Sequence, residues 1–330
     1  MDRRHFLEGL SMAAAALAIP RIGAAATSST RRLAGVFPIG FTPVTAAGQI
    51  DFDGLAAQVK FCRRGGVQGI AWPQMASGWM TLTEQDRMQG AEALISAASG
   101  GSTAIVIGVQ SKTADLPETG RYAAQAEKLG ADAIICIPPP GMTDPGELLH
   151  YYQQVGKTSS LPLFVQTVGD FSVDLVMEMF NSIPTFRYVK DEAGDPLKRV
   201  TEIRTRSNDQ LKCFSGRGVA TMITEMERGF VGHCPYVSLA DLYASAYDSY
   251  HAGRVRDAFD EFGRIEAASS MFAQSDVNVL IARGVFRPGT TARTNPPPPG
   301  AAPPRRSSAE SSPDAIKQEL DLYLKRYLRT

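Results

Sequence analysis

From Leu33 onward the chain alternates between short apolar runs and longer amphipathic segments. Eight β-rich runs predict strands, at about 34–39, 67–72, 103–109, 133–137, 163–166, 186–190, 211–214 and 230–233. Helical patterns follow them, at about 52–65, 84–99, 113–129, 144–157, 172–182, 196–207, 217–228 and 239–253. Eight strand and helix units in roughly 220 residues predict a (β/α)8 TIM barrel, an α/β fold of typically ~250 residues.

A doubly wound open sheet is the alternative architecture for such a pattern. It normally carries a phosphate-binding G-x-G-x-x-G loop after its first strand, and residues 35–48 contain none. Several predicted helices begin after residues that cap helix N-termini, namely Thr83, Thr143 and Ser172. The barrel is therefore the predicted fold.

Composition changes beyond the eighth unit. Residues 255–285 continue a helical pattern, whereas 287–313 are rich in proline and predict an extended, mobile surface loop. A last amphipathic helix is predicted at 314–328, docked on the other C-terminal helices. The predicted domains are a barrel at 27–253 and a C-terminal helical subdomain at 254–330.

The N-terminal residues 1–26 have the plan of a signal peptide. Arg3-Arg4 precedes an apolar run of small residues, and Ala24-x-Ala26 supplies the small residues of a cleavage site. The paired arginines resemble a twin-arginine export signal, so we expect cleavage near Ala26 and a periplasmic protein. An uncut membrane anchor is the alternative, but the apolar run is shorter than the ~20 residues needed to span a bilayer.

Charge and cysteine content exclude several functions. Lys+Arg and Asp+Glu both number 34, so there is no net basic field for nucleic acid or an anionic membrane. The hydrophobic fraction of 44% is ordinary for a folded soluble protein and excludes disorder for the bulk of the chain. The four cysteines form no C-x-x-C pair, so metal-ligand spacing is absent and buried thiols are the better interpretation. We expect no metal and no cofactor.

Candidate chemistry in a barrel of this kind lies where the strands end. The sixth predicted strand ends at Lys190, followed by Asp191 and Glu192. A lysine that points into an apolar barrel mouth is desolvated, which disfavours its ammonium form and favours a free amine. Such an amine attacks a ketone to form a Schiff base, which then accepts electrons from a neighbouring C–C or C–H bond. An ordinary salt bridge to Asp191 or Glu192 is the alternative.

Several short motifs occur in a characteristic order: Gly40-Phe41-Thr42-Pro43, Gly48-Gln49-Ile50-Asp51, Gly65-Gly66-Val67-Gln68-Gly69, Leu82-Thr83-Glu84, Lys190-Asp191-Glu192-Ala193-Gly194-Asp195 and Phe214-Ser215-Gly216. Over about residues 36–270 the chain resembles the dihydrodipicolinate synthase and N-acetylneuraminate lyase family. That resemblance implies a class I aldolase-type lyase or hydro-lyase that acts on pyruvate or another small-molecule 2-oxo acid. It also implies a homo-oligomer, a dimer or tetramer, with Lys190 as the Schiff-base lysine.

The chain departs from that family at three strand ends. After strand two, the family's Gly, two hydroxyl residues and Gly-Glu appear as Gln74-Met75-Ala76-Ser77-Gly78-Trp79. After strand four, where the family usually has a proton-relay tyrosine, Ile137 is followed by three prolines. After strand five, the family's Tyr-Asn-x-Pro appears as Phe164-Val165-Gln166-Thr167. Tyr151 and Tyr152 lie in the next helix and are predicted to be packing residues, so the usual relay is absent or rebuilt.

Other polar residues at strand ends are candidates for the missing contacts. His233, at the end of strand eight, is a candidate acid or base near neutral pH. Arg217 stands at a helix start, where it can bind a carboxylate or a phosphate, and a surface salt bridge is the alternative. The predicted substrate-binding residues are Ser77, Gly78, Gln110, Gln166, Ser215 and Arg217.

Two hypotheses of different classes follow. The first is a periplasmic Schiff-base lyase for a 2-oxo acid larger or less polar than the usual family substrates, and the intact Lys190 supports it. The second is a non-catalytic barrel that binds a small 2-oxo acid or sugar acid, and the missing tyrosine supports that one. The fold alone does not decide between them, because one barrel hosts many chemistries.

Overall fold

The computed structural model describes residues 33–216, 219–272, 275–297 and 312–329. Its main sheet has eight parallel strands: β1 (Gly35–Val36), β2 (Gly69–Trp72), β3 (Ala104–Gly108), β4 (Ala133–Cys136), β5 (Leu163–Thr167), β6 (Phe186–Asp191), β7 (Lys212–Ser215) and β8 (Gly232–His233). Each overlaps one of the predicted runs. Neighbouring strands pair in chain order from β2 to β8.

The sheet closes almost completely into a barrel. The first strand pairs with the last, with Val36 opposite His233. On its other side, Ile39 forms a parallel bridge to Ala71 in β2. The predicted (β/α)8 TIM barrel is confirmed.

Helices surround the barrel and extend beyond it: α1 (Phe52–Arg64), α2 (Glu84–Ala98), α3 (Leu116–Leu129), α4 (Pro145–Val155), α5 (Val173–Ser182), α6 (Pro196–Arg206), α7 (Met222–Arg228), α8 (Ala240–His251), α9 (Val255–Met271), α10 (Asp276–Ala282) and α11 (Pro313–Glu319). A π-helical turn at Leu320–Leu324 continues α11. Residues 255–285, predicted as continuing helix, thus contain two helices.

Side-chain capping explains where several helices begin. Thr83 and Ser172 each accept a backbone N–H bond at a helix start, as predicted. At α4 the cap is Asp144 and not Thr143, because the Asp144 carboxylate accepts the Glu147 N–H and Pro145 takes the first helical position. Helix α7 begins at Met222, later than predicted.

Two apolar layers lie on opposite faces of the barrel wall. The inner one fills the barrel and includes Phe37, Phe164 and Phe214, whose rings meet edge to face. The outer one lies between the sheet and the helices. Tyr151 and Tyr152 are buried in this outer layer, so the prediction that they are packing residues is confirmed.

Part of the proline-rich segment docks on the barrel instead of forming the predicted mobile loop. A short strand at Thr291–Ala292 pairs with Pro43–Val44, and Arg293 donates its N–H to the Thr42 carbonyl. We call residues 291–297 the docking arm. The predicted terminal helix packs against α10, and Arg329 contacts Asp241 and Asp248.

Some predictions fall outside the described residues, namely the signal peptide at 1–26, the core of the proline-rich insert and Arg217. All four cysteines are buried and free, in line with their interpretation as buried thiols. Among the helices described, none has both the length and the hydropathy for a membrane span.

Candidate active site

Strand register places the strand-end residues on two faces of the barrel wall. Residues paired on neighbouring parallel strands face the same side, and successive residues alternate. One row contains Gln166, Lys190, Phe214 and Gly232. Because Phe214 packs inside the barrel, this row faces the interior. The next row, Thr167, Asp191, Ser215 and His233, faces the helices.

Lys190 is buried inside the barrel mouth. Its side chain is only 5% exposed, and its ammonium nitrogen lies 3.1 Å from Oε1 of Glu192. Gly216 makes room for it, since a Cβ at position 216 would approach Lys190 Cε to 2.4 Å. Of the two carboxylates predicted as possible partners of Lys190, Asp191 and Glu192, the structure pairs the lysine with Glu192.

Asp191 points the other way and anchors the end of β6. Its carboxylate accepts hydrogen bonds from Arg199 Nε, at 2.9 and 3.1 Å, and from the Thr167 hydroxyl at 2.5 Å. Asp191 is fully buried and Arg199 nearly so. This charged pair between sheet and helices fixes the strand end that presents Lys190 to the interior.

Three buried glutamines surround the inner mouth. Gln166 pairs in register with Lys190, and neither its amide oxygen nor its amide nitrogen has a hydrogen-bond partner. Gln74 and Gln110 both donate to the Pro73 carbonyl, and both keep an unpaired amide oxygen. Unpaired buried amides are costly, so the unpaired Gln166 amide beside Lys190 indicates a binding site for a polar group. Gln110 and Gln166 were predicted from sequence, whereas Gln74 was not assigned a role.

Ser77 and Gly78 shape the loop after β2. The Ser77 hydroxyl donates to the Gly40 carbonyl at 2.5 Å and accepts from the Gln74 N–H, so the structure uses it to hold backbone. Gly78 has a φ of 64°, and a Cβ there would lie 2.5 Å from the Arg293 carbonyl carbon. Only glycine permits this turn under the docking arm. Both residues thus make structural contacts, and their part in substrate binding stays a prediction.

His233 and Ser215 lie on the helix-facing side, away from Lys190. His233 Nδ1 lies 3.1 Å from Oε2 of the buried Glu225 on α7. Burial raises the pKa of Glu225, but hydrogen bonds from His233 and Thr221 outweigh burial and hold this pKa below its usual value. The structure does not bring His233, expected as an acid or base, together with the lysine, because it occupies the outward row.

A cavity of about 540 Å³ opens above Glu192. Loops after β2, β4, β5 and β6 line it, including Trp79, Pro138, Phe171 and Glu192. Sequence reasoning treated Glu192 only as an ion-pair partner of the lysine. Its side chain is 22% exposed, so it connects the buried amine to this cavity. The signal available in the sequence was its even spacing from Lys190, which places both on the same face.

The fold and this site define a TIM-barrel protein with a buried lysine at the carboxyl end of strand six. The chain belongs to the Dihydrodipicolinate synthetase family, whose model matches residues 32–288. The match ends just before the docking arm.

Individual relatives agree with this assignment. The chain is 29% identical over 205 residues to a 4-hydroxy-tetrahydrodipicolinate synthase from Rhizobium meliloti (strain 1021), covering 60% of this chain and 68% of that protein. It is 21% identical over 253 residues to an L-2-keto-3-deoxyarabonate dehydratase from Azospirillum brasilense, covering 72% and 78%. These relatives are named as a synthase and a dehydratase, and the family assignment supports a lyase-type enzyme.

Solved structures share the fold. The crystal structure of dihydrodipicolinate synthase from Rhodopseudomonas palustris aligns with a TM-score of 0.72 at 20% identity. The alignment covers 89% of this chain and 97% of that chain. At this identity the likeness establishes the barrel and its C-terminal helices.

Proposed function

We propose that the protein is a lyase that forms a Schiff base between Lys190 and a 2-oxo acid, for aldol cleavage or condensation or for dehydration. The observation that carries this proposal is the Lys190 amine, buried inside the barrel mouth beside the unpaired Gln166 amide. A structural lysine has no need of this position, because burying an amine inside the barrel is costly.

The Lys190–Glu192 pair can supply the first step. A proton passes from the ammonium to the Glu192 carboxylate, which frees the amine to attack the ketone carbon. The departing carbonyl oxygen takes two protons, one from the amine and one from Glu192, and leaves as water. The product is a protonated imine on Lys190, with the Glu192 carboxylate restored.

The same carboxylate can serve the second step. In aldol cleavage it accepts the proton of the C4 hydroxyl while the C3–C4 bond breaks, and the electron pair moves to the imine nitrogen as an enamine. An aldehyde leaves, Glu192 returns the proton to C3, and water hydrolyses the imine. In dehydration Glu192 instead takes a C3 proton and passes it to the departing C4 hydroxyl.

Gln166 is the candidate to hold the 2-oxo acid itself. Its amide nitrogen can donate to the substrate carboxylate, and its oxygen can accept from a substrate hydroxyl. The side chain is almost fully buried and adjacent in register to Lys190, so it is held close to the reacting carbon.

The non-catalytic barrel is the second candidate function. It is favoured by the ion pair itself, in which the Lys190 nitrogen lies 3.1 Å from the Glu192 carboxylate, and by the prolines that occupy the loop after β4. In that case the site binds a 2-oxo acid or sugar acid without covalent chemistry.

Borohydride trapping separates the two. Purified protein is mixed with pyruvate and a panel of larger 2-oxo acids, reduced with borohydride, and read by intact mass and peptide mapping. We expect an adduct on Lys190 that Lys190→Met abolishes and Lys212→Met, an exposed lysine on β7, retains. A folded protein that binds a 2-oxo acid but yields no adduct contradicts the lyase and supports the binding protein.

Export and assembly belong to the same proposal. A mature chain that begins near residue 27 and works in the periplasm as a homo-oligomer follows from the N-terminal sequence and the family. N-terminal sequencing of the protein from a periplasmic extract, with light scattering on the same sample, tests both. Recovery with Met1 intact contradicts processing, and a monomeric mass contradicts assembly.

A further inference from the structure

We infer that the cavity above Glu192 selects a carbonyl partner with an apolar substituent, aromatic or branched aliphatic. The aldehyde half of the substrate is then neither charged nor polyhydroxylated. This inference rests on the proposed function, since Lys190 must first hold the 2-oxo acid. The cavity volume of about 540 Å³ lies within the ~300–1,000 Å³ typical of small-molecule sites.

Most of the described side chains that line the cavity are apolar. Trp79 and Met80 come from the loop after β2, Ile137 and Met142 from the loop after β4, and Val168 and Phe171 from the loop after β5. Aromatic and thioether side chains pack against rings and branched chains, and methionine adapts to irregular shapes.

The backbone of one wall also lacks donors. Pro138, Pro139 and Pro140 line the cavity in succession and carry no N–H group. A polyhydroxylated substituent needs donors and acceptors together, and these three prolines supply no backbone donor. Burying unpaired hydroxyls there is unfavourable, which disfavours sugar-like partners.

The charges of the lining residues also favour an uncharged partner. The ionisable side chains among the described lining residues are Asp170 and Glu192, both acids, and the described lining contains no lysine or arginine. A carboxylate or phosphate on the partner would face Asp170 and a Glu192 whose partner, Lys190, lies behind it, with no cation in that lining to bind the anion. An uncharged apolar group meets no such repulsion.

Two apolar side chains at the cavity entrance are exposed, as expected if a ligand covers them when it binds. Met75 and Val168 line the cavity yet are 50% and 36% exposed, among the few large apolar side chains at the described surface with that exposure. Exposed apolar surface around a cavity is typical of a binding site. Glu192 at its inner end places the reacting carbon between this apolar region and the lysine.

The test compares aldehydes in condensation with pyruvate. Benzaldehyde and 3-methylbutanal are the apolar probes, succinic semialdehyde is the charged one and glyceraldehyde the hydroxylated one; pyruvate consumption gives kcat/KM for each. We expect the apolar aldehydes to be favoured on the order of 10- to 100-fold, because even one methylene in an apolar pocket gives ~10-fold or more.

A charged variant sharpens the comparison. Val168→Lys puts a cation at the entrance, so the preference should move at least 10-fold towards succinic semialdehyde. Leu322→Lys, at another exposed apolar position, on the C-terminal segment, should leave it unchanged. Borohydride trapping of pyruvate should be unchanged in Leu322→Lys, and the Lys190 adduct of Val168→Lys, read by peptide mapping, separates altered partner preference from lost lysine chemistry.

The outcomes are distinct. If pyruvate is trapped on Lys190 but the charged or hydroxylated aldehydes are used as well as the apolar ones, the cavity inference is wrong and the proposed function stands. The same holds if no aldehyde is consumed by protein that traps pyruvate. If no 2-oxo acid is trapped at all, both fail together.

Discussion

The ammonium nitrogen of Lys190 lies 3.1 Å from Oε1 of Glu192, and the two side chains have different surroundings. The lysine is enclosed by the barrel, whereas the glutamate borders the open cavity. Any proton that leaves Lys190 along this contact passes to a group that also faces the substrate. Under the proposed mechanism this pair carries the proton of the reaction.

Glu192→Gln removes the proton carrier and keeps the size of the side chain. We expect kcat for aldol turnover to fall about 10²- to 10⁴-fold, the usual contribution of a general acid or base. Imine formation should be slower, because Glu192 also carries protons in that step, but an adduct should still accumulate on long incubation because Lys190 remains. Steady-state kinetics and borohydride trapping on the same preparation measure the two separately.

Glu178→Gln is the matched control, because Glu178 is exposed on α5. Its kcat should equal that of the unmodified protein. A kcat for Glu192→Gln within about threefold of the control would remove Glu192 from the mechanism.

The docking arm should matter for binding. Asn295 accepts the Met80 N–H and donates to the Met75 carbonyl, each at 2.9 Å, and so holds the loop that carries the cavity wall. Asn295→Ala removes both bonds, and we expect KM for the carbonyl partner to rise on the order of 3- to 10-fold. Kinetics at saturating pyruvate measure it.

Pyruvate trapping should be unchanged in Asn295→Ala, because the arm does not touch Lys190 in the described structure. Asn181→Ala, at an exposed position of α5, should show neither effect. If KM stays constant in Asn295→Ala, the arm has no part in shaping the cavity.

The Glu225–His233 contact predicts a pH dependence of stability. The pKa of Glu225 is lowered in the folded protein from an ordinary value of 4.5, against the opposing effect of burial. Its ionised form therefore stabilises the fold fully above about pH 4.5, and this contribution is lost as pH falls through the lower folded pKa. Glu225→Gln should reduce the free energy of unfolding by about 1–3 kcal/mol at pH 7.

Urea unfolding at a series of pH values tests this. The difference between the unmodified protein and Glu225→Gln should shrink as pH falls below 4.5, while Glu227→Gln, exposed on the same helix, stays within about 0.5 kcal/mol of the unmodified protein. A difference that grows in acid would reverse the assigned sign.

The barrel was predictable because hydrophobic periodicity is a local property. Each of the eight strands overlaps an apolar run, and Lys190 follows from the end of the sixth. The direction of a side chain depends on strand register, because a shift of one residue moves each side chain to the opposite face of the sheet. His233 occupies the outward row for this reason, although its strand was predicted correctly.

Long-range contacts were out of reach of the sequence pattern. The docking arm pairs Thr291–Ala292 with Pro43–Val44, and nothing local in a proline-rich stretch indicates that partner. The contact of Glu192 with the cavity could not be predicted from sequence, because four separate loops build that cavity. Gln74 could not be singled out from sequence either, because its relation to Gln110 is a shared hydrogen-bond acceptor, the Pro73 carbonyl, that only the fold reveals.

Exchange of the pyruvate methyl protons in D2O, followed by proton NMR, tests the central claim most directly. Enamine formation on Lys190 with Glu192 as proton carrier requires that the unmodified protein exchange these protons and that Lys190→Met exchange them only at the background rate. Glu192→Gln should still be trapped by borohydride but exchange at least about 100-fold more slowly. Exchange that survives in Lys190→Met, or its absence from unmodified protein that traps pyruvate, would contradict the account.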